Sequence, residues 1–472
     1  MSVIKHVWLV WLSVSASVCA VVGCLPAKSE RSPAVEAKGA PSPSQSSAPP
    51  ALVPLAAPRS AAPSVATESA RLDPDGDDDA PPDSSSGEPL KVGHFERVGR
   101  APGALQRICD LTPFAGALYA AHATRPLGLD GASITRYRPT DQRPFTLAFD
   151  WNRAGEPTKG GGAGQGFLRV HAFRGRLFVT DADPPYNGFG FSEPGTEGFV
   201  FVSSSTGQFA PARMPGHLPP HAPSDEKAGA AVLPRAYHVL DAIQYRGLIY
   251  AATGSVPPGQ RAWHGASPAA LQVETELGAR FEYAADYPRP YQEGVWRFTF
   301  LVRFRDRLYA GLQDYDGREP NDYVYFEPPR ERSRIAQEDL HAVRITESGA
   351  AQTLRWYADV AQRKLYWLAW SRDGVGLRVT SDGDHWSLVP LPGAVGVPTD
   401  LVRYRGALHV LTTHALLRLS EGAPTVLARI AEKRSPFELD DSFCAAPLGI
   451  FDGALYAGGQ RDGALYRFRE DD

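Results

Sequence analysis

The sequence predicts an all-β chain in which four-stranded units repeat around a closed ring, behind a long leader with no fold of its own. Three observations predict it: a short turn phrase that recurs along the chain, apolar alternation on both sides of each copy, and chain ends that each hold part of one unit.

The leader comes first. Lys5 and His6 precede the apolar run "VWLVWLSVSASVCAVV" and then Gly23-Cys24, the charged, apolar, small-residue order of a secretory signal. "VVGC" (Val21 to Cys24) resembles a bacterial lipobox, which implies cleavage after residue 23 and a diacylated Cys24 as the new N-terminus. The competing reading is a plain signal peptide with a chance cysteine. Residues 24–90 are rich in Pro, Ala and Ser and end in the acidic run "DPDGDDDAPPDSSSGEP". Such a segment buries too little apolar area to offset the entropy of ordering, so it reads as a disordered tether with a reach of about 45 Å or more. Its carboxylates alternate around Gly76 but lack the distal bidentate Glu of a calcium loop, so solvated charge is the better reading. These features place the mature chain outside the cytoplasm, held to a membrane by lipid, with Leu25 resembling outer-membrane rather than inner-membrane sorting.

From residue 91 to residue 472 the phrase takes over. "FAGALYAAH" from Phe114 returns as "FRGRLFVTD" from Phe173, "YRGLIYAATG" from Tyr245, "FRDRLYAGL" from Phe304, a degenerate "AQRKLYWLAW" near Gln362, "YRGALHVLT" from Tyr404 and "FDGALYAGG" from Phe451. Alternating apolar residues flanking a two-residue turn read as an antiparallel hairpin. A weaker strand pair follows each copy, as in "SITRYRP" and "FTLAFDW" after the first. Four strands per unit, repeated every 42 to 72 residues, predict a seven-bladed β-propeller, or six blades if the fifth copy is discounted.

The ends predict closure. After the last copy there is room for one strand, "ALYRFRE" (Ala464 to Glu470), while "PLKVGHFERVG" (Pro89 to Gly99) precedes the first. Pairing them would remove exposed edges. Cys109 and Cys444, the two cysteines outside the signal region, are expected on innermost strands of the first and last blades, joined by a disulfide across the seam.

Function is less legible. A formal net charge of −4 and the lack of a long Lys/Arg run argue against nucleic-acid binding. No HExxH, Cys/His ligand spacing or GxSxG elbow occurs, so neither a metal nor a cofactor is expected. "DYDGREPND" (Asp314 to Asp322) reads as a solvated turn, and "GGGAGQG" (Gly160 to Gly166) as a connection rather than a phosphate loop. "TSDGDHW" (Thr380 to Trp386) resembles an Asp-box, the turn shared by sialidases and many non-enzymatic propellers of the sialidase and kelch-like superfamily. The resemblance implies that Asp382 accepts backbone N–H bonds and that Trp386 packs between strands. It implies no sialidase activity.

Propellers commonly bind on the face where innermost strands begin and second strands end. By alignment of the copies, His122, Asp181, His238, Arg297 and Asp400 are expected there, with Tyr237 beside them. Arg suits an anion, Asp suits hydroxyls and His suits either, so the set fits a glycan or carboxylate. A His or Tyr237 acting as base beside Arg297 would give a polysaccharide lyase or a related glycosidase. Two long insertions on that face add Asp183, Tyr186, Trp263 and His264, which either line the channel or plug it. The bland reading is that these side chains satisfy buried backbone groups. The overall expectation is a monomeric binding or scaffolding module for an extracytoplasmic glycan or protein, with a carbohydrate-active enzyme as the alternative.

Overall fold

The computed structural model describes Glu88–Asp472 apart from residues 104, 124–130, 151–165, 182–197, 210–229, 234–237, 255–268, 277–279, 288–295, 315–321, 344–351, 372, 421–422 and 441. The expected signal, Cys24 and almost all of the tether therefore lie outside the described residues, as do most of "DYDGREPND" and "GGGAGQG".

Strand β1 (Gly93–Arg100) is followed by β2 (Arg107–Phe114), β3 (Ala117–Ala123), β4 (Ser133–Tyr137) and β5 (Phe145–Asp150), and β2 to β5 form one antiparallel sheet in chain order. The next sheet holds β6 (Phe167–Phe173), β7 (Arg176–Asp181), β8 (Gly198–Val202) and β9 (Ala230–Leu233). Strands β10 (His238–Tyr245), β11 (Leu248–Gly254), β12 (Ala270–Glu276) and β13 (Arg280–Asp286) share an eight-stranded sheet with β14 (Trp296–Phe304), β15 (Arg307–Asp314), β16 (Tyr323–Phe326) and β17 (Leu340–Val343). The link between these two halves is the single pair Gly254–Arg297. Then come β18 (Gln352–Asp359), β19 (Lys364–Ser371), β20 (Gly374–Thr380) and β21 (Ser387–Val389), and next β22 (Pro398–Tyr404), β23 (Ala407–Thr412), β24 (Ala415–Leu419) and β25 (Thr425–Arg429), each set a four-stranded sheet. The last sheet takes β26 (Leu448–Phe451), β27 (Ala454–Gly458) and β28 (Ala464–Glu470) and is completed by β1.

The arrangement is an all-β propeller. The strand that opens each run of four packs on the next such first strand in the order β2, β6, β10, β14, β18, β22, β26, and β26 returns to β2. Separate apolar clusters fill the spaces between successive strand sets all the way round, including one between the two halves of the eight-stranded sheet. No helix among the described residues is long and apolar enough to cross a membrane.

The recurring phrase sits at the hairpin between first and second strands. Both turn residues have positive φ at Arg174-Gly175, Arg246-Gly247 and Arg405-Gly406, and also at Ala115-Gly116 and Asp452-Gly453. That is the two-residue turn whose twist matches the strands, and the second position takes Gly because a Cβ is disfavoured there. The phrase's aromatic reaches forward: the Tyr245 hydroxyl donates to the Asp306 carbonyl of the next hairpin (2.5 Å), and the Tyr404 hydroxyl to the Gly453 carbonyl (2.6 Å). The degenerate fifth copy forms a four-residue turn instead, pairing Asp359 with Lys364. Asp359 accepts the Gln362 N–H (3.1 Å) and is gripped by Arg403 of β22, which replaces the missing aromatic link.

The expected closure is present. β1 pairs with β28 from Gly93–Glu470 to Arg100–Ala464, with a bulge between Arg97 and Gly99. Cys109 and Cys444 form a disulfide. One detail differs from expectation: Cys109 lies on β2, but Cys444 lies in the segment before β26. Pro447, which has no N–H to give a ladder, stops that strand from extending back toward the cysteine. Because the bridge spans 335 residues of sequence, its loss frees a very long loop in the unfolded chain. Reduction, or Cys444→Ser, is expected to lower unfolding free energy by about 2–5 kcal/mol in guanidinium titrations. Equal midpoints with and without reductant would show that the strand pairing alone closes the ring.

Candidate functional site

The first strands carry a β-bulge at matching places, with register shifts at Ile108/Asp110, Phe167/Arg169, Val239/Asp241, Thr353/Arg355 and Pro398/Asp400. A bulge re-aims the side chain beside it. Here it places Asp110, Arg169, Asp241, Arg355 and Asp400 around the lining of one central cavity of about 480 Å³. In the eight-stranded sheet the shift between Phe298 and Leu301 presents Phe300 at the corresponding level.

Three of these charges staple neighbouring first strands. Asp110 accepts the Val170 N–H (3.0 Å), Asp241 the Leu301 N–H (2.7 Å) and Asp400 the Leu448 N–H (2.7 Å). Asp241 and Asp400 also accept the N–H of the residue that follows each of them. The arginines cross the channel. Arg355 pairs with Asp110 (3.1 Å), lies 3.7 Å from Asp400 and donates to the Cys109 carbonyl. Arg169 donates to the Leu168 (2.9 Å), Cys109 and Leu354 carbonyls and lies over the Phe300 ring, 3.7 Å from its centroid. His171, one-fifth exposed, meets Asp241 through Nε2 (2.7 Å).

Burial acts against the charges of Asp110, Asp400, Arg169 and Arg355, and the balance with pairing differs among them. At Asp110 burial opposes ionisation, but Arg355, Arg169 and His171 outweigh it and hold the carboxyl below its ordinary range. Burial dominates at Asp400, whose pKa is raised despite Arg355 and two backbone N–H groups. Burial, with repulsion from Arg355, pulls Arg169 down to about 10. At Arg355 the neighbouring Asp400 and Asp110 overcome burial and raise its pKa.

The cavity faces the hairpins. Its wall includes Phe114, Ala115 and Gly116 at one turn and Ile450 and Phe451 at another, with Trp356 and Tyr357 between. Next to the charged layer, Cys109, Leu168, Leu240, Phe300 and Cys444 form a buried apolar cluster, with Phe443 and Trp356 packed against it, and Phe300 and Trp356 also line the cavity. The arginines and this cluster together floor the cavity.

Of the residues expected at the site, Asp400 lines the cavity and His122, His238 and Arg297 do not. His122 is fully buried, with Nδ1 on the Arg107 carbonyl (2.9 Å) and Nε2 on the Thr135 hydroxyl (2.7 Å). Burial pulls its pKa down to about 4, which keeps the imidazole neutral. His238 is buried at the start of β10, and Arg297 packs its side chain over Gly254. Asp181 ends β7, where it pairs with Phe167. Asp183, Tyr186, Tyr237, Trp263 and His264 lie outside the described residues. Asp110, Arg169, His171, Asp241 and Arg355 escaped the sequence reading, although a signal exists. Four of the layer's charges stand four residues before the anchor aromatic of their copy, and Arg355 stands four before Asp359. His238 and Arg297 stand where first strands begin, the end expected to hold the site, whereas the cavity opens toward the hairpins where those strands end.

The "TSDGDHW" turn is ordered as its residues imply. Asp382 accepts the N–H groups of Asp384 (2.9 Å) and His385 (2.8 Å), bonds which with the His385 ring hold its carboxyl far below the ordinary range. Trp386 donates to the Tyr323 hydroxyl (2.9 Å) and packs among Trp356 and Trp367.

No family model matches the chain, and no curated protein matches it. Among solved structures it is similar to a catalytically inactive virginiamycin B lyase from Staphylococcus aureus with quinupristin, at 9% identity and a TM-score of 0.46, over 79% of this chain and 98% of that one. A streptogramin B lyase matches at 10% identity with a TM-score of 0.48, over 80% of this chain and 98% of that one. The extracellular domain of a hybrid two-component system from B. thetaiotaomicron matches at 9% identity with a TM-score of 0.47, over 80% of this chain but 42% of its own length. The fold assignment rests on the strand pairing described above.

The two carboxylates that flank Arg355 are expected to behave differently. Asp110→Asn strips Arg355 of its closest buried counter-charge and should cost about 3–5 kcal/mol at pH 7. Asp400→Asn should cost less, because burial already favours its neutral form. Asp110 has its folded pKa below the unfolded value near 3.8. Its stabilisation is therefore present above that value and lost as pH falls through the folded one. Chemical denaturation at pH 7 and pH 3 checks this: the gap between wild type and Asp110→Asn should narrow in acid, and a constant gap would remove the ion pair as its cause.

Proposed function

We propose that the chain is an extracytoplasmic binding module whose ligand enters the central cavity from the hairpin face. We read the ring as a seven-bladed propeller, counting the eight-stranded sheet as two blades because one residue pair joins its halves and an apolar cluster lies between them. Residues 1–23 are then a lipoprotein signal, Cys24 the lipid anchor and residues 24–90 the stalk, which hold the propeller to the cell envelope, with the outer membrane favoured by Leu25. "TSDGDHW" serves as an Asp-box.

The observation that carries the reading is the cavity. A volume of about 480 Å³ falls in the range of small-molecule sites. Its lining carries the charges of Asp110, Arg169, Asp241, Arg355 and Asp400, and its wall includes the partly exposed Phe114, Trp356, Tyr357 and Phe451. Flat apolar rings beside hydrogen-bonding groups suit a sugar unit, which has one hydrophobic face and a rim of hydroxyls. A glycan is therefore the first ligand class, with a protein loop as the other occupant. The His171–Asp241 contact supports a second reading, since an imidazole held by a carboxylate is an acid–base arrangement. A polysaccharide lyase would use His171 as its base, in place of His122 or His238.

Calorimetry on the detergent-solubilised full chain against a glycan panel, with absorbance followed at 235 nm, tests both readings. We expect about one site per chain and at least a tenfold loss of affinity in His171→Phe, which keeps the ring stacked on Phe173. Rising absorbance abolished by the same change would establish the lyase. Silence on every glycan would remove the glycan reading and leave a protein partner.

A further inference from the structure

The hairpin face carries a feature that neither the turns nor the cavity explains. Five turns place an arginine at a position with φ between 46° and 55°: Arg174, Arg246, Arg305, Arg363 and Arg405. The left-handed region costs a side chain with a Cβ about 1 kcal/mol, and Asn, Asp or Gly would serve a tight turn better. Part of the cost is offset because the guanidinium groups reach the next strand set. Arg174 bonds the Gly247 carbonyl and Glu274, and Arg405 bonds Glu470 (3.0 Å). Arg246 instead bonds the Pro329 and Arg332 carbonyls, and Arg305 bonds the Ser381 carbonyl. A carbonyl orients a guanidinium without cancelling its charge. The acids among the turn positions are Asp306, which pairs with Arg330 (3.1 Å), and Asp452.

All these turns open on one side, because the hairpin-to-hairpin bonds join successive turns and two of the turns form the cavity's rim. Positive charge, oriented by carbonyls at Arg246 and Arg305 and carried on an exposed turn at Arg363, therefore stands on the face onto which the aromatic-walled cavity opens. We propose that this face docks an acidic polysaccharide, with its carboxylate or sulfate groups on Arg246, Arg305 and Arg363 and one sugar unit in the cavity. Guanidinium groups suit both anions because their forked N–H donors match paired oxygens. The inference rests on the binding-module reading and adds the charge of the ligand and the residues that select it.

The probes are polygalacturonate, dextran sulfate and neutral dextran, bound to the detergent-solubilised full chain at low and moderate salt. Polygalacturonate or dextran sulfate should bind and neutral dextran should not, with affinity falling as salt rises. Arg305→Gln with Arg363→Gln should weaken binding about tenfold per arginine. Arg363→Gln alone, in an exposed turn, gives a readout if the double variant melts early. Arg461→Gln, which removes one charge beside Glu438 near the other end of the channel, should change nothing. Binding of one acidic polymer alone identifies carboxylate or sulfate as the anion. If neutral dextran binds equally well and the arginine variants match wild type, the anion inference falls while the binding module stands. Equal losses in Arg461→Gln would reduce the effect to net charge and overturn it, as would failure of both acidic polymers to bind.

Discussion

Three carboxylates, each holding a backbone N–H of the neighbouring first strand, are the contacts on which most of the centre depends. A carboxylate taken out of water must be paired or neutralised. Asp110, Asp241 and Asp400 meet that demand with main-chain donors one strand away, and so fix the relative height of adjacent first strands. Their remaining charge draws in Arg355 and His171. Arg169 spans from β6 to the carbonyls of β2 and β18. The electrostatics that align the ring thus also close its middle, and the cavity is the space left above that closure.

The outer part of the ring follows a different rule. Between sheets the contacts are apolar and non-directional, so they supply stability without much register. Register comes from the hairpin phrase: the Tyr245 and Tyr404 hydroxyls and the Arg174 guanidinium bond carbonyls of the next turn, and a glycine permits the turn itself. The fifth copy shows the rule by exception, since Asp359 and Arg403 rebuild the link with an ion pair.

This division explains what could be read from the sequence. Hairpins, closure by the chain ends and the Cys109–Cys444 bridge all leave local or pairwise marks: a repeated turn, a missing strand, two cysteines outside the signal-like region. Strand β28 spans the residues expected of it, and β1 begins four residues after the expected Pro89. The face of the cavity left a weaker mark. The side chains expected there stand at or near the ends of the strands away from the hairpins, whereas the charged layer is reached by counting back four residues from the turn aromatic to the bulge. Asp400 was found because its strand begins late, at Pro398, and start and bulge nearly coincide. Asp110 and Arg355, far apart in the chain, could be matched only by knowing which first strands face each other.

The pairing of β1 with β28 also sets how the molecule carries load. A pull on residues upstream of Pro89 reaches the ring through β1, whose ladder to β28 runs from Gly93 to Arg100. Were that strand to peel away, tension would pass along residues 101–106 to β2 and arrive within a few residues at Cys109. There a covalent bond to Cys444 takes it up and hands it to the segment leading into β26. The sheet at the seam can therefore yield one strand while the ring stays shut: the weak link and the safety catch lie in series, in that order, from the N-terminal side.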